Sequence, residues 1–289
     1  MSAVTECRYR AAKARQHVVR MVRSSGAGHM GGALSCIDMV TALYFHTMRL
    51  PAHDGPWPDA ATYLREADPG RDRFVLSAGH KCMAQYAVLA EAGYFPLEVL
   101  DTYGKLGTKI PGHPDMWKLP GIEANTGALG HGTAISLGMA LGLRGTDARV
   151  FTILGDGELP EGSNWEAFAA AAHHRAGNLV AIIDVNGLQI SGPVTEVMNM
   201  EPIAAKLEAF GWQVWEVDGN DMAAVIELFD ALPVGTEKPQ AIIARTVKSK
   251  GLSFAEGRVE YHYWKPKPEQ LAQAEAETQA AVSEAEVQR

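Results

Sequence analysis

The sequence predicts an α/β fold, a doubly wound and mainly parallel sheet with helices on both faces. Five short β-rich runs, at residues 74–77, 150–154, 179–184, 213–217 and 240–247, have helical patterns between several of them. Strands that alternate with helices build a parallel sheet covered on both sides. The run at 150–154 feeds a glycine-rich turn, GDGELPEG at 155–162, and then a helix-like segment. Sheets of this kind bind ligands in the crevice at the carboxyl ends of their strands, so the turn is the first candidate for a site.

Each element has its own signal. Residues 5–24 and 35–47 read as helices, and in the first Val18, Val19, Met21 and Val22 supply an apolar side. Its basic residues, Arg8, Arg10, Lys13, Arg15, Arg20 and Arg23, resemble a targeting helix, but a solvated face accounts for them. The glycine-rich 24–32 reads as a connection too flexible to belong to either helix, and 51–72 as a Pro/Asp/Gly-rich excursion. After the 155–162 turn, Ser163 and Glu166 predict a capping box, Trp165, Phe168, Ala169 and Ala172 an apolar stripe, and Gly177 the stop. Residues 1–268 are expected to form the folded domain. From 269 the chain is alanine- and acid-rich, which predicts a loosely held helix or a disordered tail.

At 289 residues the chain can bury a substantial core. Its formal charge of -8 and pI near 5.7 provide no basic field to attract nucleic acid or an anionic membrane. No apolar run approaches the ~18 residues of a membrane span, and the start lacks a signal-peptide core. Cys7, Cys36 and Cys82 are too few and too scattered for a disulfide framework or a zinc site. A reducing, cytoplasmic setting is expected.

The turn poses an electrostatic problem. A phosphate-binding turn should not carry an acid at its centre, yet Asp156 lies between Gly155 and Gly157. A dinucleotide fingerprint fails here, because its third glycine would fall on Pro160. A divalent cation between acid and phosphate resolves the conflict. Mg²⁺ takes about six oxygen ligands, one or two from protein side chains and the others from phosphates, carbonyls and water. The next strand ends in IDVNGLQI at 183–190, where Asn186 offers an amide oxygen and Leu188 a carbonyl.

Gly155-Asp156-Gly157 followed thirty residues later by Asn186 resembles the thiamine diphosphate signature. Four histidines narrow the resemblance to transketolases. His29 lies in GHMGG, His80 in DRFVLSAGH, His113 in PGHPD and His262 in EYHYW, each matching a family motif in the same order. The resemblance implies the diphosphate-binding (PP-type) domain of the thiamine diphosphate fold. Asp156, Asn186 and the Leu188 carbonyl would hold Mg²⁺ against the cofactor diphosphate. His29 and His262 would handle protons at the donor sugar, His113 would contact its terminal hydroxyl, and His80 would lie beside thiazolium and diphosphate. The NTGALG loop at 125–130, with Gly127 and Leu129, would approach the cofactor closely, and Glu161 would communicate between paired sites. The chain departs from the pattern at Lys81-Cys82, where small residues are usual, and at Tyr261 and Tyr263, which replace the usual Trp-His-Gly surroundings of His262.

The resemblance runs from about residue 8 to 268 and covers only the amino-terminal half of a full transketolase. It therefore implies a separate pyrimidine-binding subunit, an α2β2 assembly with active sites at subunit interfaces, and transfer of a two-carbon ketol unit from a ketose, free or phosphorylated, to an aldose. Two alternatives remain: a catalytically silent assembly subunit, and a component of a deoxyxylulose phosphate synthase or 2-oxo acid dehydrogenase. The four histidines, PGHPD above all, favour the transketolase type.

Overall fold

A computed structural model describes residues 2–289. Five parallel strands form the central sheet in the order β1-β2-β3-β7-β6: β1 Arg73–Leu76, β2 Val150–Gly155, β3 Leu179–Val185, β6 Gln213–Asp218 and β7 Gln240–Arg245. A two-residue antiparallel pair, β4 Leu188–Gln189 and β5 Gly192–Pro193, follows β3.

Alternation along each strand explains the two-sided covering. In β2, Phe151 and Ile153 face one core while Val150 and Leu154 face the other. Val180 and Ile182 of β3 and Ile242 and Ala244 of β7 join the first core, and their neighbours Ala181, Ile183, Ala241 and Ile243 the second. The first core is closed by α1 Ala3–Ser25, α2 Met30–Ala42, α4 Cys82–Glu91 and α9 Met222–Ala231. The second is closed by α5 His131–Gly142, α6 Gly162–His173 and α8 Ile203–Ala209. Two short helices, α3 Ala60–Glu66 and α7 Val194–Val197, lie in the connections. β1, β2, β3 and β7 are buried and read as near-continuous apolar runs, whereas the half-exposed edge strand β6 alternates apolar and polar residues over 215–218.

Four local expectations are corrected. Met30, Gly31 and Gly32 are the first turn of α2, because glycine there answers a packing need: a Cβ on Gly31 would come 2.8 Å from the Tyr261 carbonyl oxygen. The helix α6 starts at Gly162 and has no side-chain cap, since the Ser163 hydroxyl donates instead to the Gly130 carbonyl at 3.0 Å. That helix ends at His173, and Arg175 takes the left-handed turn at φ 53°; Gly177 is required because a Cβ there would clash with the Thr236 carbonyl. Finally, the helix expected from 269 is present as α10 Pro268–Gln288, but it is docked and not loosely held: it packs along α1 with Ala274, Thr278 and Val282 buried. Three small or branched residues at helical spacing suffice for docking where few large apolar side chains exist.

Candidate active site

The sheet brings the sequence-predicted residues to one end. Parallel pairing of β2 with β3 sets Gly155 opposite Asp184, and the Asp156 amide donates to the Asp184 carbonyl at 3.2 Å. The Gly155-Asp156-Gly157 turn and Asn186 therefore sit side by side. Backbone amides of Gly157 and Gly187 donate to the two Asp156 carboxylate oxygens at 2.8 and 2.6 Å. Asn186 is oriented by its own loop, its side-chain oxygen accepting from the Leu188 amide at 3.1 Å.

The histidines arrive from four separate segments. His29 stands at the N-cap position of α2, making no side-chain cap, and the adjacent Gly28 exchanges two backbone hydrogen bonds with Trp264, at 3.0 and 2.8 Å, which fixes the His262 segment beside it. His80 follows β1 in a single 3₁₀ turn. The His113 loop is tied down by the Tyr86 hydroxyl, 2.9 Å from the carbonyl oxygens of Pro111 and His113. The ring of His29 is 5.6, 6.4 and 5.7 Å from those of His80, His113 and His262, and His80 stacks on His262 at 5.6 Å. Tyr263, one of the family departures, is exposed, with its ring 4.8 Å from that of His29.

The four histidines line a cavity of about 350 Å³ together with Gly127, Leu129, Asp156, Asn186 and Leu188, a volume ordinary for a small-molecule site. A larger, more open cleft of about 760 Å³ at the β6 and β7 ends is lined by Arg8, Asp221 and Lys250 among others. None of the histidines lines it. Of the expected site residues only Glu161 lies away from the cavity: it is exposed at the start of α6 with its side chain against Gly130.

Electrostatics distinguish the members. Burial, with Lys81 and the neighbouring histidines, pushes His80 down to about 2. Burial and Lys248 push His262 down to about 3, and burial, His113 and Lys248 lower His29. These three imidazoles are neutral at physiological pH. Burial and the Asp184 charge push the Asp156 carboxyl up to about 6.

Charged residues that motif reading missed also line the cavity. Lys248 follows β7, is 2 % exposed, and donates to the Leu188 carbonyl at 3.1 Å. Burial and Lys81 lower its ammonium to about 8. Lys81 pairs with Asp184 at 2.5 Å. The Glu158 carboxylate accepts from the Ser77 hydroxyl at 2.6 Å and the Gly130 amide at 2.9 Å, pinning the 125–130 loop to the turn. A rule of searching every strand's carboxyl end would have found Lys248, because β7 lies next to β3.

The cavity fits a thiamine diphosphate with a hard cation on three counts. The His262 Nδ1 atom is buried without a partner, as a ligand contact would be. Gly127, at φ 140°, leaves bare backbone where a Cβ would come 2.8 Å from the His113 ring. Asp156, Asn186 and the Leu188 carbonyl are oxygen donors of the kind magnesium prefers. Among the described residues no three His, Cys, Asp or Glu side chains converge as a metal cluster, so any cation would depend on amide, carbonyl and phosphate oxygens.

A parallel α/β sheet with a diphosphate-type turn and converging histidines defines a cofactor-dependent group-transfer protein. Comparison with known proteins makes this specific. Residues 8–279 match the family described as transketolase, thiamine diphosphate binding domain. The chain is 41% identical over 276 residues to one of the subunits of the apulose-4-phosphate transketolase of Phocaeicola vulgatus, covering 95% of this chain and 94% of that one. It is 40% identical over 254 residues to the 6-deoxy-6-sulfo-D-fructose transketolase subunit SqwG of Clostridium sp., covering 87% and 88%. Among solved structures, transketolase from Campylobacter jejuni superposes with a TM-score of 0.82 at 29% identity, over 96% of this chain and 45% of that one. The chain thus spans just under half the length of the solved transketolases it matches. It belongs to the transketolase family of transferases, within which it corresponds to the thiamine diphosphate-binding domain.

Proposed function

We propose that this chain is the diphosphate-binding subunit of a two-chain transketolase, completed by a separate pyrimidine-binding subunit in an α2β2 assembly. The reaction moves a two-carbon ketol unit from a ketose, its phosphate or a sulfonated analogue to an aldose. Convergence of four histidines over the Asp156–Asn186 turns is the observation that carries this reading. The end-to-end similarity to proteins that are themselves named as single subunits of transketolases supports the second chain. Intact histidines argue against a silent role. A cytoplasmic location fits the three free, buried cysteines, and among the described residues no helix is long and apolar enough to cross a membrane.

Thiamine diphosphate, when bound, supplies the carbanion chemistry that breaks and re-forms the bond beside the ketose carbonyl. Asp156, Asn186 and the Leu188 carbonyl would hold Mg²⁺, and Lys248 would add a nearby positive charge. His80, neutral and stacked on His262, would contact the bound cofactor. His29 and His262, also neutral, can accept a proton from a sugar hydroxyl and return it, as a general base and then an acid must. His113, which also lines the cavity, would donate to or accept from the terminal hydroxyl of the donor.

The test is reconstitution. The chain alone should be inactive in ketol transfer from fructose 6-phosphate, xylulose 5-phosphate or 6-deoxy-6-sulfofructose, and active with its second subunit. Full activity of the isolated chain would refute the two-chain reading. Asp156→Ala should weaken thiamine diphosphate binding and abolish its Mg²⁺ dependence in calorimetry. Retained metal-dependent affinity would refute the metal assignment.

A further inference from the structure

Lys81 has a buried ammonium with donors to spare. Its side chain is 3% exposed, and its stem packs where a Cβ on Gly32 would come within 3.0 Å. The Nζ atom lies behind the first glycine of the 155–157 turn, 3.1 Å from where a Cβ on Gly155 would stand, and the residue lines the cavity. Asp184 is the ammonium's only hydrogen-bond partner among the described residues. An ammonium has three N–H donors, so two are unassigned, and a buried donor without an acceptor is costly.

The other end of the pair is saturated. Asp184 accepts from Lys81, from the Ser35 hydroxyl at 2.6 Å and from the Thr246 hydroxyl, with the Asn186 amide at 3.4 Å. The other acids lining the cavity are already engaged: Asp156 takes two backbone amides, and Glu158 the Ser77 hydroxyl and the Gly130 and Gly155 amides. The surplus is therefore of donors and of positive charge, with no protein acceptor to absorb it. The occupant that satisfies it is an anionic oxygen.

We propose that Lys81 is a second fixed cation of the cofactor site, whose ammonium donates directly to a diphosphate oxygen of thiamine diphosphate alongside the divalent metal. This inference rests on the proposed function. It gives Lys81, which departs from the family pattern, a binding role, and it means that part of the diphosphate affinity survives removal of the metal.

The experiment measures thiamine diphosphate affinity by calorimetry on the full chain with its second subunit, in saturating Mg²⁺ and in EDTA. The variants are Lys81→Met, Asp184→Asn and the double variant Lys81→Met/Asp184→Asn, which removes both charges and leaves no bare buried carboxylate. A direct contact predicts that Lys81→Met and the double variant both bind about 10–100-fold more weakly in Mg²⁺, the range of a charged hydrogen bond. The wild-type complex should keep residual binding in EDTA, and both variants should lose it. Wild-type affinity in the double variant would overturn the inference, leaving Lys81 as a counter-ion for Asp184. Circular dichroism identifies a misfolded single variant, in which case the double variant decides. No binding by the wild-type complex is a separate result, which would overturn the proposed function and this inference together.

Discussion

Two buried ion pairs in this molecule have opposite characters. Arg71 and Glu123 form a closed set: the guanidinium donates to both Glu123 oxygens at 3.0 and 2.9 Å, to the Tyr63 hydroxyl at 3.0 Å and to the Asp68 carbonyl at 3.0 Å. Tyr63 in turn donates to Glu123 at 2.6 Å. Lys81 and Asp184 are as deeply buried, yet they sit among a lysine with one carbonyl partner, a histidine nitrogen with none, and three imidazoles held neutral. The closed set occupies four of its five guanidinium donors, whereas the open one leaves two of three ammonium donors for a guest. Incomplete satisfaction, more than burial of charge, separates a site from a strut.

That contrast is sharpest when each cluster loses one member. His29→Ala in the assembled complex should lower kcat/KM for ketol transfer by about 10²–10⁴-fold, the usual contribution of a positioned acid or base. The melting temperature should not fall. A variant that lost stability and kept turnover would erase the distinction. Arg71→Met should do the reverse: about 3–5 kcal/mol less stability in urea titration, because Glu123 is left buried and uncompensated. Cofactor affinity per folded molecule should be unchanged.

Acidification sharpens the comparison further. His80 and His262 bind protons in the unfolded chain below about pH 6.5 but not in the folded one, so stability falls with pH from there down. Each would contribute at most about 1.4 kcal/mol per pH unit, less for the partly solvated His262. Asp156, raised to about 6, opposes them as pH falls from 6 toward 4, leaving a net loss of about 1 kcal/mol per unit. Denaturation at pH 6.5 and 5 should show it, and His80→Asn should flatten the slope.

The smallest effect belongs to the remote α10 contact. Val282→Ala should cost about 1–2 kcal/mol from lost apolar burial, with no change in cofactor binding. A change in binding would mean that α10 is coupled to the cavity.

The five sheet strands were legible to within a residue or two because β1, β2, β3 and β7 are apolar runs ending in glycine or polar residues and β6 alternates with a period of two over 215–218. Helix starts were less so. Ser163 has the chemistry of a cap, but its hydroxyl is drawn to Gly130 by tertiary packing. Gly31 and Gly32 look like a hinge until the close approach of Tyr261 and Lys81 is known. The histidines and the metal-type turn were readable because motif spacing survives in one dimension. Lys81 and Lys248 were not recognised as site residues, since a lysine in sequence looks like a solvated face and only the fold reveals that it is enclosed.

The two hydrogen bonds between Gly28 and Trp264 join the earliest and latest segments of the cavity. During synthesis, at roughly 5–20 residues per second, tens of seconds separate the emergence of these two strips of backbone. A growing chain can therefore collect most of its sheet while lacking the enclosure that holds His29 against His262. Premature termination between Arg245, the end of β7, and Trp264 would release a protein with its whole central sheet and no working pocket.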